Sequence, residues 1–171
     1  MPRSPASDDV VPAPVLQAWR AVTVGAKPDR LWPWVAQIRL APYSYDWIDN
    51  LGRRSPRELR ALPEPAADQH FTTAATRPLG RILSVAAQEQ LTGRIGGAVI
   101  SYVLVPKGDS TRLLMKNVTA RGRLLAPLLS IGDLVMARRQ LLNLKQLAEQ
   151  PKPPGSAESS PAPQTRAALG L

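Results

Sequence analysis

Apolar and polar residues alternate near the start of the chain. In QAWRAVTVG, residues 17–25, Trp19, Ala21, Val22 and Val24 carry the pattern of a first strand. The period then changes. In AKPDRLWPWVAQIR, Leu31, Trp34, Val35 and Ile38 share one helical face, Pro28 suits the first helical position, and Asp29 suits the positive first turn. Pro33 falls inside that helix, where it removes a backbone hydrogen bond, so a kink is expected. Residues 45–51 predict a second short helix, with Ser44 as its N-cap and Gly52 as its C-terminal stop. Arg53 to Ala67 carries Pro56, Pro63 and Pro65 and reads as a loop.

From His70 onward the runs are short and strand-like: HFTTAAT, RILSVAA, EQLTGRI, AVISYVLVP and TRLLMKNVTAR. Arg77-Pro78-Leu79-Gly80, Gly96-Gly97 and Pro106-Lys107-Gly108-Asp109 read as the turns between them. Strands in succession with no helix between them predict an antiparallel meander. One long helix closes the series, Pro127 to Gln150, about 36 Å at the usual rise. Its wheel shows two apolar strips: Leu128, Ile131, Val135 and Leu142 form one, and Leu134, Ala137, Leu141 and Ala148 the other. Arg138 and Lys145 lie between the strips. Either their stems snorkel over apolar surface, or Arg138 reaches a buried polar site.

These elements make an α+β domain over residues 15–150. Residues 1–14 and 151–171, rich in Pro, Ser and Ala, are expected to be disordered tails. The N-terminal stretch lacks the apolar centre of an export signal, and no apolar run reaches the roughly 20 residues that span a bilayer. The expected location is the cytoplasm.

Composition narrows the chemistry. There is no cysteine, which removes disulfides and thiolate catalysis, and His70 is the sole histidine. No cluster of metal-ligating residues stands out, and neither a metal nor a cofactor is implied. A Ser–His–Asp triad would have to use His70, no Gly-x-Ser-x-Gly elbow is present, and Gly93 to Gly97 is no phosphate loop. The net charge of +9 sits between residues 16 and 150, scattered except for Arg53, Arg54, Arg57 and Arg60. That group suits weak contact with anionic surfaces; specific nucleic-acid binding would need exposed aromatics interleaved with it.

Five of the eight aromatic residues fall between Trp32 and Trp47, three of them in APYSYDWIDN, residues 41–50. Asp46 and Tyr45 are the acid–base candidates there, with Tyr43, Asp49 and the distant Asp133 behind them. A structural reading stands beside this one. The phenols and indole donate, and Asp46 accepts, in a self-satisfying network.

Three stretches resemble one family. AVTVGAKPDRLWPWVAQI is similar to the opening strand and helix of the SRPBCC superfamily, the START-like and polyketide cyclase/dehydrase proteins. PYSYDWIDNLGRRSP resembles the Tyr-Ser-Tyr-Asp-Trp stretch of one bacterial branch, and IGDLVMARRQLLNLKQLAE its closing helix. The chain departs at Ala67-Asp68-Gln69, where members often carry Gly-Asp, and its strands are poor in aromatics. The resemblance implies a helix-grip fold: a curved antiparallel sheet wrapped around the long C-terminal helix, with two short helices after the first strand. It also implies a cavity between sheet and helix. Trp34, Tyr43 and Trp47 are expected at one end, with Tyr102, Met115, Ile131, Val135, Arg138 and Leu142 on the walls.

Two functions follow as expectations. One is binding of a small hydrophobic or amphipathic molecule or lipid. The other is cyclase- or dehydratase-like catalysis in the same cavity. Both call for a hollow of at least about 300 Å³. A carboxylate or tyrosine aimed into it would favour the enzyme.

Overall fold

The computed structural model describes residues 16–45, 51–119 and 126–151, with side chains from residue 17 and, in the last helix, from residue 135. Strand β1 spans Leu16–Val24, and helix α1 spans Pro28–Ala36 and runs on into a 3₁₀ turn, Gln37–Arg39. Then come β2 Thr72–Ala74, β3 Arg77–Leu79, β4 Arg81–Ala86, β5 Gln90–Ile95, β6 Ala98–Lys107, β7 Ser110–Thr119, and helix α2, Ala126–Glu149. The helix expected at 45–51 lies mostly outside the described residues; at its ends Tyr45 is irregular and Leu51 sits in a turn. The expected tails also lie outside them, apart from Pro151.

The meander is there, with its membership changed. β4 to β7 pair in succession and β1 adds antiparallel beside β7, giving the order β1-β7-β6-β5-β4. The run around Thr72 does not join this sheet. It pairs with β3, which sequence reading took as a turn, in a hairpin of its own. That hairpin turns through Ala75 and Thr76 at φ 48° and 70°, a left-handed turn that Asn-Gly adopts with less strain. β5 runs through Ile95, and Gly96-Gly97 turns the chain into β6, with Gly96 at φ 55°.

Alternation decides which residues face α2. On the inner face Val24, Leu91, Tyr102, Leu104, Leu113 and Met115 pack against Leu31, Trp34, Val35 and Ile38, the face of α1 that the spacing predicts. Across the opposite face run the cross-strand neighbours Trp19, Lys116, Ser101 and Thr92. The Lys116 ammonium lies 4.7 Å from the centre of the Trp19 ring, and burial lowers its pKa. The hydroxyls of Thr92 and Ser101 are 2.9 Å apart.

In α2 one strip is chosen. Ala137, Gln140, Leu141, Leu144, Leu147 and Ala148 are buried, while Val135 and Leu142 are 45% and 42% exposed. Val135 and Leu144 are nine residues apart, two and a half turns, so they must point in opposite directions. The expectation that Val135 and Leu142 line a cavity is therefore corrected, and Arg138, exposed on the same side, reaches no buried polar site.

Candidate ligand cavity

A hollow of about 200 Å³ lies between the inner face of the sheet and α2. The sheet supplies Ile95, Ile100, Tyr102 and Met115; α2 supplies Met136, Ala137 and Gln140. Its rim comes from Ile38, Pro42 and Ser44 after α1, and from Phe71, Thr72, Ala74 and Leu79 around the small hairpin.

Local chemistry places each wall. Phe71, the one phenylalanine of the chain, stacks at a tilt against Tyr102 with ring centroids 6.3 Å apart. Its ring occupies the space above Gly93, where any Cβ would overlap it. The glycine is thus a socket in the middle of β5. Thr72 donates to the Ile38 carbonyl at 2.9 Å, tying the hairpin to the end of α1.

The polar groups form a short line. Tyr102 donates its hydroxyl to Gln140 Oε1 at 2.6 Å, and Gln140 Nε2 donates to the Pro42 carbonyl. A glutamine on a buried helix face is thus satisfied at both ends, as burial demands. No carboxylate, histidine or lysine is among the described residues that line the hollow. No group of His, Asp or Glu among the described residues is arranged to hold a metal ion.

The rim is held by buried polar residues that sequence reading missed. Gln37 donates to the Tyr43 hydroxyl at 2.6 Å and to the Glu58 carbonyl, and accepts from the Arg60 amide. Arg39 donates to the carbonyls of Ala36 and Pro63 and to Gln69 Oε1. Burial lowers the pKa of its guanidinium, partly countered by Glu64. Asn143 of α2 donates to the Tyr43 carbonyl at 2.8 Å, which holds Tyr43 at a φ of 54° that a bulky residue rarely adopts. The signal for these residues was there: Gln37, Arg39 and Gln140 each interrupt an apolar face.

Of the residues expected to touch a ligand, Tyr102 and Met115 line the hollow. Trp34 is packed in the core and does not. Tyr43 and Tyr45 line a different cleft on the far side of their turn, where Arg139 lies over the Tyr45 ring at 5.8 Å. Asp46, Trp47 and Asp49 lie outside the described residues, as do the side chains of Ile131 and Asp133. His70 is exposed.

The architecture is α+β: a five-stranded antiparallel sheet covered on one face by helices, the last of them long. Among solved structures the chain is similar to the KanY protein, with a TM-score of 0.52 and 16% identity, over 79% of this chain and 98% of that one. It is also similar to a protein from Nitrosospira multiformis, with a TM-score of 0.50 and 9% identity over 77% and 94%. At these identities the likeness is one of fold alone. No family model and no curated protein sequence matches the chain. No helix among the described residues is long and apolar enough to cross a membrane.

Proposed function

We propose that residues 15–150 form a START-like helix-grip domain that binds a small apolar or amphipathic molecule between sheet and α2. The observation that carries this reading is the hollow itself, walled mainly by apolar side chains with one hydrogen-bonded polar line, Tyr102 to Gln140. Mostly apolar walls with a few placed polar groups are what orient a ligand that sheds its water.

Size restricts the occupant. At about 200 Å³ the hollow falls short of the roughly 300 Å³ that both binding and catalysis call for, which counts against each and limits any occupant to a single ring or a short chain. A polyketide-length substrate does not fit that space; no carboxylate among the described residues lines it, and the tyrosine that does, Tyr102, has its hydroxyl bonded to Gln140. Binding is therefore the better-supported reading over cyclisation or dehydration.

The chain has three methionines, and two of them, Met115 and Met136, line the hollow. Titrating phenol into protein carrying ¹³C-methyl methionine should shift both methyl signals saturably. Ala137→Leu fills the space and should abolish the shift. A wild-type protein whose signals do not saturate, or an Ala137→Leu variant that responds equally, would remove the proposal.

A further inference from the structure

A second hollow, about 290 Å³, opens on the other side of the Tyr43–Ser44 turn. Its described walls are Tyr43 to Tyr45 and Gly52 to Arg57 on one side and the last three turns of α2 on the other. Arg54, Arg57 and Arg139 line it, with Tyr45, Asn143 and Gln146 between them, and no Asp or Glu is among its described lining residues. Ser44 lines both hollows.

What sets these arginines apart is that three of them meet on one cleft. Elsewhere on the surface some cations sit beside an acid, Lys27 with Asp109 and Arg81 with Asp68, each at 3.3 Å, and others bond an oxygen of the chain, Arg30 the Gln150 carbonyl and Arg112 the Thr23 hydroxyl. Among the described residues, Arg54 and Arg57 make no hydrogen bond or ion pair. Arg139 makes a single described contact, its stacking over Tyr45. Three guanidiniums lining one small cleft give it a positive potential that draws in an anion. The guanidinium also has the right shape, a planar fork of N–H donors that grips two oxygens of one phosphate or carboxylate.

The cleft is partly preorganised. Asn143 is pinned to the carbonyls of Tyr43 and Ser44, Ser55 is buried, and Arg139 rests on an aromatic face. The group Arg53, Arg54, Arg57 and Arg60, read from sequence as one basic cluster, is divided: Arg54 and Arg57 turn to the cleft, Arg53 and Arg60 do not line it, and Arg139 joins from 82 residues beyond Arg57.

We propose that this cleft is an anion site for a phosphate monoester group, separate from the apolar cavity and independent of its occupant. The test uses the full chain and inorganic phosphate, titrated at constant ionic strength while the arginine Nε–H signals are followed by NMR. Saturable binding is expected. Arg57→Gln and Arg139→Gln should each weaken it roughly tenfold or more, the loss of a charged hydrogen bond. Arg94→Gln, the same charge change on an exposed strand residue outside the cleft, should leave it unchanged.

A parallel arm measures binding to phosphatidylcholine vesicles with and without phosphatidylglycerol. Binding to anionic vesicles but not to free phosphate, lost in Arg57→Gln and Arg139→Gln only, would assign the same site to a lipid headgroup. Failure of wild-type protein to bind either probe overturns the proposal, the arginines then being neutralised within the chain. Equal weakening by Arg94→Gln also overturns it, since it reduces the effect to net charge.

Discussion

On one side of the Tyr43–Ser44 turn, a hollow is walled by side chains with little freedom left: Phe71 is seated over Gly93, Tyr102 is bonded to Gln140, and Met115 is buried in the sheet. On the other side, a cleft is rimmed by arginines whose ends stand in solvent. The same helix supplies both, Ala137 and Gln140 to the first, Arg139, Asn143 and Gln146 to the second. The difference shows how one helix divides its labour by angle. Residues one position apart, about 100° around the axis, end in unlike environments. The inner hollow is shaped by packing, so its mutations should register as stability. The outer one is shaped by charge, so its mutations should register as affinity.

The widest gap should come from two leucines of α2. Leu144 is fully buried, and Leu144→Ala should cost about 2–5 kcal/mol of unfolding free energy. Leu142→Ala, on the exposed side, should stay within about 0.5 kcal/mol. Urea unfolding of the two variants side by side checks the rotation of the helix. A larger cost at Leu142 than at Leu144 would mean that the other apolar strip faces the sheet.

A middle-sized effect is expected at the socket. Gly93→Ala puts a methyl group where the Phe71 ring sits, and should destabilise by roughly 1–3 kcal/mol. Because Phe71 is also a cavity wall, thermal unfolding and phenol binding should both suffer in this variant. A loss of stability with unchanged binding would separate socket from cavity.

The smallest effect concerns the knot at the end of α2. Lys145 donates to the Thr23 carbonyl at 2.7 Å and to Glu149, whose carboxylate also accepts from the Gly25 amide. Burial pushes the Glu149 carboxyl up, but the bonds from Lys145 and Gly25 and the charge of Lys145 outweigh it and hold the pKa below the ordinary 4.5. A carboxylate lowered on folding stabilises at pH above its unfolded value and loses that contribution as pH falls through the folded one. The group is partly solvated, so Glu149→Gln should cost only about 0.5–1 kcal/mol near neutral pH. The gap between wild type and variant should close on acidification below 4.5. A gap that persists into acid would assign the effect to packing instead.

Legibility follows the same division. The strand β1, the buried face of α1, the meander and the reach of α2 were readable because each is written in the spacing of neighbouring residues. Tyr102 and Met115 were readable as inward-facing because alternation along a strand fixes their side. Val135, Leu142 and Arg138 were misread because α2 offers two apolar strips, and periodicity cannot say which one has a sheet opposite it. Gln140 was passed over as a polar residue; its partners, Tyr102 and Pro42, are 38 and 98 residues away. Phe71 escaped because its place depends on the absence of a side chain at Gly93, in another strand.

By itself the sequence determined the class of structure and the order of its elements, since the period of apolar residues is a property of each segment. It also excluded thiol chemistry, through the lack of cysteine. The tertiary structure alone decided which strip of α2 is core, where the hairpin β2–β3 stands apart, how small the cavity is, and which arginines meet. Those outcomes rest on pairs of groups distant in the chain. Their energy depends on what lies opposite, and that is set only when the elements pack together.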